Sequence, residues 1–264
     1  MAARFERRRM IEFSSVPAKD GFEWVRISLK LVRAQWLRYT ALAALFLLIL
    51  QFGVVISGGL LAIFLKPILT VGFLAAAWHH ERGGVPEVKH LFAGFKSNLK
   101  ALLPLGVVYM LGSLIAVIAA SVITDVSLEA LIATDPAAKP VETDVLRFMV
   151  VTLLFTLPMN ATLWFAPALI VFSDASFFQA LMLSLRAWTR NVLAMVVYML
   201  TMFGLILLFV FTVAPVGFVG GRELQTLAAM ILIVPFVAIL MVSDYVSYRR
   251  IFHRNERLTD LPQK

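Results

Sequence analysis

Six apolar runs, each about as long as a bilayer core is thick, leave this chain few ways to fold. An α-helix rises 1.5 Å per residue, so a hydrocarbon layer of about 30 Å takes about 20 apolar residues. The runs occupy 39–57, 58–80, 103–122, 147–172, 192–215 and 225–247. Of all residues 61% are hydrophobic and 15% charged, where a soluble domain has about 45–50% and about 25%. A water-soluble fold would expose wide apolar surface, so the sequence predicts an all-α polytopic membrane bundle of about six spans.

The boundary between the first two spans has two readings. Ser57, Gly58 and Gly59 offer a tight turn. Lys66-Pro67 offers a competing one, because proline suits a first helical turn, and it would leave 58–66 irregular and Lys66 at the interface.

Charge sets the expected orientation. Residues 1–38, 79–102, 173–191 and 248–264 hold 20 of the 24 lysines and arginines. The intervening loops hold Lys139, Arg147 and Arg222, and loop 123–146 is acidic through Asp125, Glu129, Asp135, Glu142 and Asp144. By the positive-inside rule both termini face the cytoplasm, the spans are even in number, and 123–146 is periplasmic. Arg4, Arg7, Arg8 and Arg9 are too far from the first apolar run for a cleavable signal peptide, and Met10 is a second candidate initiator. The net charge of +8 therefore reads as membrane polarity and not as a nucleic-acid surface.

Three segments outside the spans share one pattern, predicting interfacial amphipathic helices at about 20–37, 88–101 and 175–191. Their stripes are Phe22, Val25, Leu29, Val32, Trp36; Phe92, Phe95, Leu99, Leu102; and Phe178, Leu181, Leu185, Trp188, Val192. The triplets Ser28-Leu29-Lys30, Asn98-Leu99-Lys100 and Ser184-Leu185-Arg186 stand in the same register, and each stripe runs into a span. Such helices would lay apolar faces on the headgroup boundary or pack them on the helix bundle, with Lys30, Arg33, Lys100, Arg186 and Arg190 near anionic phosphates. Asp20 with Glu23 has the spacing of a capping box for the first helix, and Ser173 with Asp174 can cap the third. The integral-membrane domain covers 20–250, between a basic tail, 1–19, and a C-terminal tail, 251–264.

Signals for chemistry are sparse. The absence of cysteine removes disulfides, thiolate catalysis and thiolate metal sites. No Walker loop, dinucleotide fingerprint, nucleophile elbow or zincin pattern occurs, so a non-enzymatic protein without cofactor or metal is expected. His79, His80, Glu81 and His90 lack the i, i+4 spacing of a helical metal site and read as a polar span end. His253 reads as solvent-facing, and Asp244 as a partner of Arg249 or Arg250. Lys66 lies about 12 Å along its helix from Gly58, where ionisable groups often line a pathway. Asn160 sits mid-span between Pro158 and Pro167, where an amide can satisfy carbonyls that proline frees. These two are the cavity candidates.

Val16-Pro17-Ala18-x-x-Gly21-x-x-Trp24, Pro67-x-x-x-x-Gly72, and Leu91-Phe92-x-x-Phe95 after Gly83-Gly84 resemble a family of proteobacterial, chiefly beta-proteobacterial, polytopic inner-membrane proteins with no assigned activity. More distantly, the layout is similar to the membrane domain attached to some glycerophosphodiester phosphodiesterases, without their soluble barrel. The resemblance implies location and topology and carries over no catalytic residue. Two functions are expected: organising anionic lipids, partner membrane proteins or a second copy through the basic helices, or transporting a small molecule or lipid through a cavity near Lys66 and Asn160.

Overall fold

The computed structural model describes residues 11–132 and 140–254, and every regular element among them is helical. The basic residues Arg4 to Arg9, Asp135, Lys139 and the tail beyond Arg254 lie outside the described residues. Five helices are long and apolar enough to cross a membrane, which makes this a multi-pass membrane protein.

Helix α1 (Asp20–Ala34) is followed by α2 (Trp36–Ser57) and α3 (Leu60–Glu81). The α2–α3 turn is the glycine pair: Gly58 and Gly59 have φ of 61° and 102°, a left-handed backbone that side chains disfavour. Ser57 Oγ donates to the Gly53 carbonyl at 2.7 Å and accepts the Leu61 amide at 2.8 Å. The turn therefore closes upstream of Lys66-Pro67, and both residues lie inside α3.

After α3 the chain doubles back through a 3-10 turn (Val88–Phe92) and the short α4 (Ala93–Lys96), then enters α5 (Leu99–Thr124). This segment differs from the predicted amphipathic helix over 88–101. Ser97 is extended, and Lys100 belongs to the first turn of α5. Gly72 and Gly94 explain the fold-back. A Cβ on Gly72 would collide with the Leu91 backbone, and one on Gly94 with the Ile68 carbonyl. Only glycine lets 88–96 lie this close along α3.

Helix α6 (Leu128–Ile132) is short, and α7 (Glu142–Leu163) leads across a break at Trp164-Phe165 into α8 (Ala166–Phe172). Helix α9 (Phe177–Arg190) precedes α10 (Val192–Phe252), whose backbone leaves the helical region at Gly221 (φ 74°, ψ 179°). Its two arms lie antiparallel: Tyr198 and Ser243 hydroxyls are 2.7 Å apart, and the Phe209 and Phe236 rings 6.3 Å.

The first and third predicted stripes do form helices, α1 and α9, each joined to an apolar helix by one non-helical residue. Gln35 (φ −137°) and Asn191 (φ −111°) each return their amide to a carbonyl three residues back, of Val32 and Trp188. Both breaks fall five residues past the triplet base, at Lys30 and at Arg186. The buried faces overlap the predicted stripes only in part. In α1 the residues against the bundle are Gly21, Trp24, Val25, Ser28 and Val32, while Phe22, Leu29 and Trp36 are exposed. In α9 they are Ala180, Ser184, Ala187 and Trp188, with Phe178 and Leu185 exposed. Beside Trp24, Val25, Val32 and Trp188, the small residues Gly21, Ser28, Ala180, Ser184 and Ala187 allow close backbone approach, a common packing mode where lipid removes a hydrophobic drive between helices.

Burial is concentrated at one end of the bundle. The second half of α3, the last four turns of α10, α8, α1 and α9 share one core there, with Trp24, Tyr39, Phe73, Tyr245 and Tyr248 fully buried. The other halves of α2, α5, α7 and both α10 arms expose apolar side chains, as lipid-facing surfaces do.

Several expected polar contacts are replaced. Lys19 is the N-cap of α1; Asp20 is a buried first-turn residue, and Glu23 takes Arg26 at 2.9 Å instead of reaching back. Ser173 Oγ meets Tyr248 Oη at 2.9 Å, Asp174 adopts φ 51°, and Ser176 becomes the N-cap of α9. His253 is buried, 2.9 Å from Tyr248 Oη, because the end of α10 turns in among Trp78 and Phe252 and not toward solvent.

Candidate functional site

The break in α7–α8 is where the bundle opens. An interrupted helix at membrane depth leaves unpaired backbone groups, tolerated where protein or a cavity receives them. Pro158 and Pro167 bracket the interruption, and a side chain from another helix repairs it: Ser184 Oγ accepts the Phe165 amide at 3.0 Å and donates to the Ala161 carbonyl at 3.1 Å. Ser184 belongs to α9, so the amphipathic helix outside the spans holds the broken one in shape.

Beside the break lies a cavity of about 110 Å³. Helix α3 contributes Lys66, Pro67 and Thr70; α5 contributes Leu105 and Tyr109. Asn160, Leu163, Trp164 and Pro167 come from around the break, and Asp244 from the second arm of α10. The structure thus brings Lys66 and Asn160 together, across nearly a hundred residues of chain.

Lys66 Nζ donates to Tyr109 Oη at 2.7 Å and stands 4.8 Å from the centre of the Tyr109 ring, a hydroxyl and a π face on one ammonium. Two of its three N–H donors are left over from that bond. Asp244 corrects its predicted pairing. It turns to the cavity, while Arg249 Nε lies 2.8 Å from Glu81 Oε2. Five residues of helix separate Asp244 from Arg249, which puts them on different faces. Asp244 Oδ1 and Trp164 Nε1 are both buried with no hydrogen-bond partner among the described residues. Asp244, Tyr109 and Trp164 are among the cavity residues that sequence reasoning missed. An acid inside an apolar run was the available signal for Asp244; the other two look like ordinary core or belt aromatics.

The histidine-rich span end disperses. Tyr39 Oη meets His80 Nδ1 at 3.2 Å, Tyr245 Oη donates to Glu81 at 2.6 Å, and His79 faces the His90 ring at 5.1 Å. Among the described residues no three His, Asp or Glu side chains gather as metal ligands. In the fold-back loop, the Lys89 hydrogen bond holds the Glu87 carboxyl below its usual range, and partial burial pushes the His90 imidazole below its own.

Four of the lipid-contact candidates, Lys30, Arg33, Arg186 and Arg190, are exposed on α1 and α9, opposite the buried small residues. Lys100 is exposed too, but on α5. The N-terminal segment is strapped across this end. Asn191 Oδ1 accepts the Val16 amide at 2.8 Å, its Nδ2 donates to the Ser14 carbonyl at 3.1 Å, and the Ser14 amide donates to the Ile251 carbonyl at 2.8 Å.

A helical membrane bundle with a polar cavity at a broken helix is the class this geometry defines. No protein-family model, curated protein or solved structure matches the chain.

Proposed function

We propose that this chain is a small-molecule or lipid transporter of the bacterial inner membrane, working through the cavity beside the α7–α8 break. The carrying observation is that Lys66, Asn160 and Asp244, the polar groups hardest to place in lipid, come from three helices to one cavity at an interrupted span. Intramembrane ionisable groups that face a broken helix are common in solute sites. In this reading the chain crosses six times, the two arms of α10 counting separately, and both termini are cytoplasmic in line with the charge distribution.

The chain has no cysteine, so single-cysteine labelling is clean. Asn160→Cys and Thr70→Cys should react with a charged methanethiosulfonate, whereas Leu153→Cys, on an exposed apolar face of α7, should not. Protection of both cavity positions from the reagent, from either side of the membrane, would remove the transporter reading.

A second reading rests on its own observation. Lys30, Arg33, Arg186 and Arg190 project from α1 and α9 while the opposite faces are locked into the bundle. That arrangement suits a fixed basic rim against anionic headgroups, worth about 1 kcal/mol per charge near the surface. Charge reversal at all four should lower co-purifying anionic lipid; an unchanged lipid complement defeats it.

A further inference from the structure

The geometry points to a zwitterionic ligand for this cavity: one bearing an ammonium for Asp244 and, a few ångströms away, a carboxylate or phosphate for Lys66. The inference rests on the cavity being a ligand site, as proposed above, and adds the ligand's chemistry.

Opposite charges that share a low-dielectric space ordinarily pair, because an uncompensated buried charge is costly. Here they do not. Lys66 and Asp244 line the same cavity, yet no ion pair joins them within 4.0 Å among the described residues. Tyr109 draws the ammonium aside with its hydroxyl and ring face. The Asp244 carboxyl is left with a buried, unpartnered oxygen. The charged lining therefore offers two N–H donors on Lys66 and the acceptor carboxylate of Asp244. A lone anion would leave Asp244 unsatisfied, and a lone cation would leave Lys66 so. A molecule carrying both charges satisfies both, and Asn160, with donor and acceptor on one amide, fits either end. A volume of about 110 Å³ admits a group the size of a small amino acid or a phosphoethanolamine moiety. Both sources present that chemistry: a free zwitterionic solute, or the headgroup of a zwitterionic phospholipid.

The test uses the full chain in detergent and in nanodiscs, with glycine, phosphoethanolamine, acetate, inorganic phosphate and methylammonium as soluble probes. Affinity is read by isothermal titration and by thermal protection. Either zwitterion should bind at least tenfold tighter than each single-charge probe. Protection seen only in phosphatidylethanolamine nanodiscs, and not in phosphatidylglycerol ones, also supports the proposal and assigns the ligand to lipid. Asp244→Asn should erase the preference by weakening the zwitterion at least tenfold while leaving acetate or phosphate binding in place. Lys66→Met should do the converse, sparing methylammonium. Equal affinity for zwitterion and single-charge probes in the unmodified protein, a comparison that needs no variant to fold, overturns the zwitterion proposal while leaving the cavity reading standing. Binding of no probe, free or in nanodiscs, overturns both.

Discussion

Ser184 on α9 bridges the two lips of a break in another helix, accepting the Phe165 amide and donating to the Ala161 carbonyl. The bridge converts an otherwise unpaired stretch of backbone into a rigid wall of the cavity. Ser184→Ala removes both bonds and strands a buried N–H, costing about 1–3 kcal/mol. Thermal unfolding in mild detergent should show the loss, and Ser184→Thr should retain part of it. No change in midpoint for the alanine variant would mean that the break is satisfied in another way.

Glu81 ties α3 to the end of α10, accepting from Tyr245 at 2.6 Å and pairing with Arg249 at 2.8 Å. Tyr245 is fully buried. Tyr245→Phe should therefore cost about 0.5–2 kcal/mol, and Glu81→Ala more, since it also leaves the half-buried Arg249 unpaired. A double-mutant cycle over Glu81 and Tyr245 should return a coupling of about 0.5–3 kcal/mol. A coupling near zero would reduce the contact to a by-product of packing.

Gly21 and Gly204 make a controlled contrast. A Cβ at Gly21 runs into the backbone of Ala194 and Tyr198, whereas one at Gly204 meets nothing within 4 Å. Gly21→Val should prise α1 off α10 and destabilise by about 1–3 kcal/mol or more. Gly204→Val should stay within about 0.5 kcal/mol of the parent. Midpoints for the two, measured in the same detergent, should separate clearly.

The fold-back loop should be acid-sensitive. His90 Nδ1 accepts the Glu87 amide at 2.9 Å, which requires that nitrogen to be unprotonated. Desolvation lowers the His90 pKa most, and His79 and Lys89 lower it further, against raising contributions from the Glu87 backbone and carboxylate. A histidine depressed in the folded state contributes stability above its unfolded value, about 6.5, and loses it as pH falls through the folded value. Hydrogen-exchange protection across 85–98, taken relative to the intrinsic rate at each pH, should therefore fall on acidification below about pH 6.5, and His90→Gln should flatten that dependence. Protection factors in the parent that do not change with pH would contradict the assignment.

Some of the site was legible residue by residue. Lys66 and Asn160 stood out because a charge and an amide inside apolar runs are costly wherever the chain goes. Asp244 did not, since a carboxyl about one and a half turns from a basic stretch reads locally as a helix-end charge; only the α10 hairpin turns it toward α3 and α7. Ser184 was noticed for its register in a triplet, but its work is on a helix twenty residues upstream. The first and third amphipathic stripes were legible as helices, but not which of their residues pack on the bundle. A hydrophobic stripe says which side avoids water, and in a membrane protein lipid and protein compete for that side. Phe22, Leu29, Phe178 and Leu185 remain exposed, while Gly21, Ser28, Ala180 and Ser184 go inward, because close backbone approach and not apolar area alone selects the interface.

What the sequence determined alone is the set of properties each segment carries by itself: run length, hydropathy, the turn-forming residues and the asymmetry of basic charge. These follow from transfer energies and backbone sterics that act within a few residues, so they need no knowledge of neighbours. The tertiary structure decided which face of α1 and α9 is buried, that residues 88–98 fold back along α3, and that Lys66, Asn160 and Asp244 meet. Those outcomes depend on which helices lie side by side. Such pairings are set by steric fit and polar satisfaction between segments distant in sequence, and no local pattern encodes them.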